Sequence, residues 1–307
     1  MFEARVASRE RPRSGAGPVR GVPELLLLAA AAVWGFTFPL VKDALRHIGP
    51  LELLTIRFAI ATAVLCVIWP RAAREALRTG RTAGLIAGGL LAVGHIFQTT
   101  GLERTLSTNA GFITGLYVVF TPLFAAIVLR RRPEGLVMFG VVVTIVGLAF
   151  MSLRLVAGHV IVSRGDLLVL GCAVAYGGQI VAIAKYAPGM DVRVLLIQQM
   201  AVTTVVLGIL MPTQPIVAPT GGVVWNALLA TALGSSVFGI GVQTWGQQHV
   251  APTRAAVIFA MEAPFAALFA HVLAHERLAA RAWLGAGLIG VGMVIVAVRR
   301  PPLPHDA

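Results

Sequence analysis

Of the chain's 13 acidic residues, only Glu262 falls near the middle of an apolar run long enough to cross a lipid bilayer. A carboxyl at that depth costs roughly 2.5 to 3.5 kcal/mol on translocon-insertion scales, so it should face a bundle interior or water. Two kinds of chemistry follow. It can take up and release a proton in a coupled cycle, or it can balance a cationic group on a solute. The plainer reading is a protonated carboxyl that bonds to a neighbouring helix and holds the kink at Pro264. Trp34 and Tyr176 also sit at mid-span, away from the membrane interfaces where Trp and Tyr gather. They suit either helix packing or the stacking walls of a cavity. Tyr117 lies at a depth similar to Glu262.

A second polar layer comes from His95, Gln98 and Thr99 in one run and Gln243, Thr244 and Trp245 in another. In an inverted arrangement the two Gln–Thr pairs point toward opposite faces, so they read as separate gate elements and not as one site. Bonding between helices is the alternative, often under about 1 kcal/mol per residue. Arg57 lies six residues inside its run, roughly 9 Å at helical rise. It could anchor an anionic substrate, but a long side chain so near the surface is expected to snorkel to headgroups. Gln179, Gln198, Gln199 and His271 read as isolated groups with structural roles.

These residues need helices in lipid to position them. Hydrophobic residues make up 57% of the chain and charged residues 12%, against roughly 25% charged in ordinary soluble chains. Apolar runs recur at 23–42, 52–69, 82–101, 107–129, 135–153, 166–186, 193–211, 223–243, 252–274 and 281–298. Each is of a length to cross roughly 30 Å of hydrocarbon as a helix. The expectation is an all-α integral membrane protein of ten transmembrane helices. Polar tails are expected over 1–22 and 299–307. The first apolar run is full spanning length without a convincing cleavage site, so it reads as a retained helix.

The net charge of +12 follows topology. With alternating sides, 17 basic residues fall on the side of the N-terminus and seven on the other. That bias places both termini in the cytoplasm and argues against nucleic acid as a partner. Twenty-three of the 25 basic residues are Arg, which fits a GC-rich bacterial genome and hence a bacterial inner membrane.

The chain also repeats itself. Gln98-Thr99-Thr100-Gly101 returns 145 residues later as Gln243-Thr244-Trp245-Gly246, and the same offset pairs Thr108 with Thr253, Tyr117 with Glu262, and Gly140 and Gly147 with Gly285 and Gly292. Five spans per copy is an odd number, so the second copy (166–298) must run upside down relative to the first (23–153). Such inverted repeats place a cavity near the midplane between the halves, marked by helices broken at matching positions. Trp34-Gly35 with Pro39, Tyr176-Gly177-Gly178, Pro122 and Pro264 are the expected breaks.

At the level of motifs, the run Asn109-Ala110-Gly111-Phe112-Ile113-Thr114-Gly115-Leu116-Tyr117 with Pro122-Leu123-Phe124-Ala125 resembles the fourth span of EamA-type members of the drug/metabolite transporter superfamily. Met261-Glu262-Ala263-Pro264-Phe265-Ala266-Ala267, ending in His275-Glu276-Arg277-Leu278, is similar to the ninth span and the loop after it; Trp34-Gly35 and Arg57-Phe58 extend the likeness. The resemblance implies two five-helix repeats and alternating access. It also implies a small organic cargo, often exported. Arg131 departs from it, standing where the family usually has Glu and where the repeat partner is Glu276.

No nucleotide-binding loop, zinc-ligand spacing or Ser/His/Asp arrangement appears, so no cofactor is expected and any energy input would come from a gradient, with protons as a candidate coupling ion, or from the cargo itself. Cys66 and Cys172 fall inside spans and form no disulfide framework. The small-xxx-small pairs Gly84/Gly88 and Gly111/Gly115 permit close helix contact, within the bundle or between subunits of a homodimer. The reading is therefore a secondary transporter of a small metabolite, with Glu262, Trp34, Tyr117, Tyr176, His95, Gln98 and Gln243 as cavity or coupling candidates. A polytopic membrane enzyme or a non-transporting scaffold or sensor is the alternative.

Overall fold

A computed structural model describes residues 21–79, 81–130, 133–152, 155–156, 159–160, 163–211 and 219–298. Arg131, the 299–307 tail and nearly all of the 1–22 tail lie outside these residues. The described chain is helical apart from a two-residue antiparallel pairing of Leu155–Val156 with His159–Val160. The helices are α1 (Val22–Ala44), α2 (Pro50–Ile68), α3 (Pro70–Ala76), α4 (Arg81–Glu103), α5 (Ser107–Gly115), α6 (Tyr117–Val128) and α7 (Gly135–Ser152). The second half has α8 (Arg164–Tyr186), α9 (Val192–Leu210), α10 (Gly222–Leu229), a π-helical stretch (Ala230–Ile240), α11 (Gly241–Gly246), α12 (Pro252–Phe259), α13 (Glu262–Leu273) and α14 (Ala280–Val298).

Among the described residues, nine segments are long and apolar enough to cross a membrane, counting α5–α6, α10–α11 and α12–α13 as one each. The run expected at 135–153 is the shorter apolar helix Gly135–Met151. Large apolar side chains such as Phe139, Val142, Leu284 and Val291 are exposed on α7 and α14, as a lipid-facing surface requires.

Helix starts have local causes. Pro at the first turn costs no hydrogen bond and fixes φ for helix entry, and α2, α3 and α12 all begin that way. Ser163 and Asp166 form a reciprocal capping box at α8, and Thr105 donates to Asp166 at 2.7 Å, tying the α4–α5 turn to this start. After α6 and α13, Arg130 (φ 52°) and His275 (φ 53°) make matching left-handed turns at the 145-residue offset. Glu276, one residue on, accepts a hydrogen bond from Thr108 at the start of α5.

The breaks differ from those expected. α1 runs unbroken through Trp34-Gly35 and Pro39, and α8 runs unbroken through Tyr176-Gly177-Gly178. Those glycines are crossing points instead. A Cβ on Gly35 would lie 2.5 Å from Phe265 Cβ and 2.7 Å from Ala266 N, and one on Gly177 would lie 2.8 Å from Phe120 Cβ. The real breaks fall at Leu116 and Met261. Both use tightened i to i−3 bonds: Leu116 N to Ile113 O and Met261 N to Ile258 O, each 3.1 Å. An unexpected third irregularity is the π-helical stretch. Its i→i+5 bonding makes a wider turn of a kind frequent at functional sites.

Two offsets now describe the repeat. α1 and α8 are both 23 residues, α2 and α9 both 19, and each pair is displaced by 142 residues. From α11 onward the displacement is 145. The slip occurs across the π-helical stretch, whose 11 residues stand opposite the eight of 88–95 in α4.

Two residues touch their own partners at these offsets. The Thr62 and Thr204 hydroxyls are 2.9 Å apart, and Tyr117 donates to Glu262 at 3.3 Å. α7 and α14 pack with Gly140 against Gly292 and Gly147 against Gly285, an order that makes the two helices antiparallel. Gly84, Gly88, Gly111 and Gly115 all pack inside the bundle, against Gln198, Gln199, Ala266 and Leu148 respectively. A Thr62→Cys/Thr204→Cys double variant, with Cys66 replaced by Ser, is expected to form an intramolecular disulfide in native membranes under mild oxidation. Peptide mass mapping reads the result; free thiols at both positions in folded protein would contradict the α2–α9 contact.

Candidate functional site

Among the described residues a cavity opens between the helices, with about 650 Å³ of space not filled by atoms, counted out to its mouth. Its walls come from α1, α2, α4, α6, α8, α11, α12, α13 and the π-helical stretch. Trp34, His95, Gln98 and Tyr117 reach it from the first half, and Tyr176, Gln243 and Glu262 from the second. All seven candidates therefore share one space.

Glu262 opens α13 and Tyr117 opens α6, each directly after its helix break. The break explains why they can meet: it turns the first side chain of each half-helix toward the centre of the bundle. Glu262 is only 5% exposed, and its recorded partner is the phenol, not a basic group.

The aromatic walls depend on glycines. Trp34 fits over Gly239 and Tyr176 over Gly94, a matched pair at the two offsets. Trp34 donates to the Ser235 carbonyl at 3.1 Å, and its ring lies 5.1 Å from Phe259. Tyr176 donates to Gln98 at 3.3 Å, and Gln98 in turn donates to Thr114 at 3.2 Å. His95 stands edge-on between Phe58 (4.9 Å) and Tyr176 (5.4 Å), with Nδ1 3.0 Å from the Leu91 carbonyl.

Three readings from sequence need correction. Gln98 and Gln243 both line one cavity, so the two are not confined to separate sites. Gln179 and Gln199 are not isolated: Gln243 donates to Gln179 (2.8 Å), Gln179 to Gln199 (3.1 Å), and Gln199 to Thr244 (3.2 Å). Arg57 does not snorkel. It is 4% exposed, lines the cavity, and donates from Nε to Ser236 (3.0 Å) and from Nη2 to Ser235 (2.8 Å). The two serines were missed altogether; a Ser-Ser pair in the middle of an apolar run was the available signal.

The helix ends are tied in a related way. Lys42, at the end of α1, donates to the carbonyls of Leu102 and Glu103 at 2.8 and 2.9 Å. Near the opposite ends of the spans, Gln248 donates to Ala187 and Met190 at 2.7 and 3.0 Å. Glu103 and Gln248 are partners at the 145-residue offset. Among the described residues, no group of three His, Cys, Asp or Glu side chains could hold a metal ion.

Apolar spans folded around a cavity of aromatic rings, amides, one carboxyl and one guanidinium define a multi-pass membrane protein with a polar-lined cavity between its helices. The chain belongs to the EamA-like transporter family, whose model matches residues 22–153 and 163–298. It is 31% identical over 287 residues to an uncharacterized transporter of Archaeoglobus fulgidus, covering 92% of this chain and 88% of that protein. The uncharacterized transporter YcxC of Bacillus subtilis is 32% identical over 123 residues, 38% of each chain. A crystal structure 20% identical in sequence superposes with a TM-score of 0.75 over 90% of this chain and 96% of its own, a likeness of fold. The protein is a membrane transporter of this family.

Proposed function

We propose that the protein is a secondary carrier, not an enzyme, moving a small organic metabolite out of the cell through the cavity between its halves. The observation that carries this reading is the Tyr117–Glu262 contact inside that cavity. Two residues related by the repeat touch only where the halves meet, so the cavity lies on the axis that would exchange them. The antiparallel α7–α14 crossing and the Thr62–Thr204 pair support ten spans in two inverted five-helix copies. Ties at both ends, through Lys42 and Gln248, support alternating access, with each tie opening in turn. The positive-inside bias supports cytoplasmic termini in a bacterial inner membrane. Glu262 carries the proton in this reading, and a homodimer would form through the exposed apolar faces.

Ligand binding to the folded state raises its apparent stability by mass action, by about 2.7 kcal/mol at a hundredfold excess over Kd. Thermal unfolding in detergent across amino acids, sugars, organic cations and nucleobases should therefore show at least one class raising Tm by several degrees. A flat response in well-folded protein would count against a small-solute carrier.

A further inference from the structure

We propose that Arg57, with Ser235 and Ser236, forms a subsite for a carboxylate of the transported solute; this rests on the carrier function above and names its substrate class. A guanidinium carries five N–H donors and keeps its charge throughout the physiological range. Arg57 directs two bonds to the neutral hydroxyls of Ser235 and Ser236. The ion pairs recorded among the described residues, Asp43–Arg46, Glu103–Arg104 and Asp191–Arg193, do not include Arg57. Glu262, on the same cavity, bonds to Tyr117 instead. A buried charge without an opposite charge is strongly unfavourable. A solute that brings the opposite charge into the cavity would offset that cost.

The scaffold itself does not require a cation there. At the 142-residue offset the counterpart of Arg57 is Gln199, a neutral amide bonded at both ends, accepting from Gln179 and donating to Thr244. The serines are equally one-sided, because the matching stretch of α4, 88–95, contains no Ser or Thr. Adjacent residues on an α-helix point about 100° apart. The wider π-helical turn is where both Ser235 and Ser236 reach one guanidinium. The charge, the hydroxyls and the irregular helix thus occur together, in one half only, on the cavity wall.

Carboxylate is the chemistry that fits. The planar fork presents two parallel N–H groups to two oxygens of one carboxylate. The serine hydroxyls can rotate to donate to the same anion. One guanidinium balances one negative charge, whereas a sulfate or phosphate dianion would leave a charge over. Trp34, Tyr176 and Phe259 then offer apolar walls for the organic body of the solute.

The test is equilibrium binding and thermal stabilisation of the purified full chain in detergent, using matched probes. These are L-phenylalanine against its amide, 3-phenylpropionate against its amide, phenethylamine, glucose and sodium sulfate. At least one acid is expected to bind at least about 30-fold more tightly than its amide, the loss typical when one member of a buried charge pair is removed. Binding by both acids means that the carboxylate alone is read; binding by phenylalanine only means that an ammonium is read as well, and both outcomes support the subsite. Arg57→Gln should abolish the preference for acid over amide, and Ser235→Ala with Ser236→Ala should reduce it. Arg57→Lys, which keeps the charge should the Gln variant not fold, should reduce it about tenfold. Amides binding as tightly as acids, sulfate alone matching the acids, or a preference unchanged in the Arg57 variants would overturn the proposal. So would binding of amine or sugar without acid, which leaves the carrier reading standing. Silence from every probe here and from the broader solute panel sinks both.

Discussion

Replacing Glu262 by Gln is expected to abolish solute accumulation driven by a pH gradient while leaving solute exchange at equal pH intact. A protonated carboxyl and an amide have nearly the same shape, and Gln can still accept from the Tyr117 hydroxyl as Glu262 does at 3.3 Å. What Gln cannot do is alternate between a charged and a neutral form. One pH unit corresponds to about 1.4 kcal/mol, so one-for-one exchange of proton and solute sustains about a tenfold solute ratio per unit. In vesicles carrying Glu262→Gln the ratio should fall to about one. Stability should change by no more than about 1 kcal/mol, because a comparable hydrogen bond remains. A Gln variant that still builds a tenfold ratio would remove Glu262 from coupling.

The second large effect concerns the crossings of α1 and α8 with the broken helices. Gly35→Leu and Gly177→Leu are each expected to cost about 3 to 5 kcal/mol, enough to prevent recovery of folded protein from membranes. A side chain on Gly35 meets the Ala266 backbone nitrogen at 2.7 Å as well as Phe265 Cβ at 2.5 Å. Backbone does not rotate aside, so the helices themselves would have to separate. Small residues at membrane helix crossings permit this closeness. Gly208 is the control, since a Cβ there meets nothing within 4 Å; Gly208→Ala should be neutral or slightly stabilising. Size-exclusion profiles and unfolding midpoints of the three variants separate the two behaviours. Normal yield and Tm for Gly35→Leu would contradict the described crossing.

Much of this was legible from the sequence because lipid imposes a long apolar run on every span. Among the described residues, nine such segments and the shorter apolar helix Gly135–Met151 fall within the expected ranges or close to them. The seven mid-span polar and aromatic residues named from the sequence all line one cavity. What sequence could not show is where a side chain points around a helix that is apolar on every side. Arg57 was judged by its depth alone, which favours snorkelling; its inward direction depends on the serines of a distant span. Those serines meet Arg57 from a π-helical turn, for which no residue pattern gives a signal. The three-residue slip in the repeat offset marks that turn once the helix ends are known. The expected breaks at Trp34-Gly35 and Tyr176-Gly177-Gly178 failed for a related reason. Glycine in a membrane helix can serve close approach as readily as bending, and only the neighbouring helix distinguishes them.

The most direct test of the carrier account is solute exchange in proteoliposomes loaded with a defined mixture of amino acids, organic acids, sugars and amines, read by mass spectrometry of the vesicle contents. The account predicts that at least one small organic solute crosses faster than in protein-free vesicles, with saturation, and that external addition of the same solute accelerates its exit. Exchange indistinguishable from protein-free vesicles, in a preparation with a sharp unfolding transition, would contradict it.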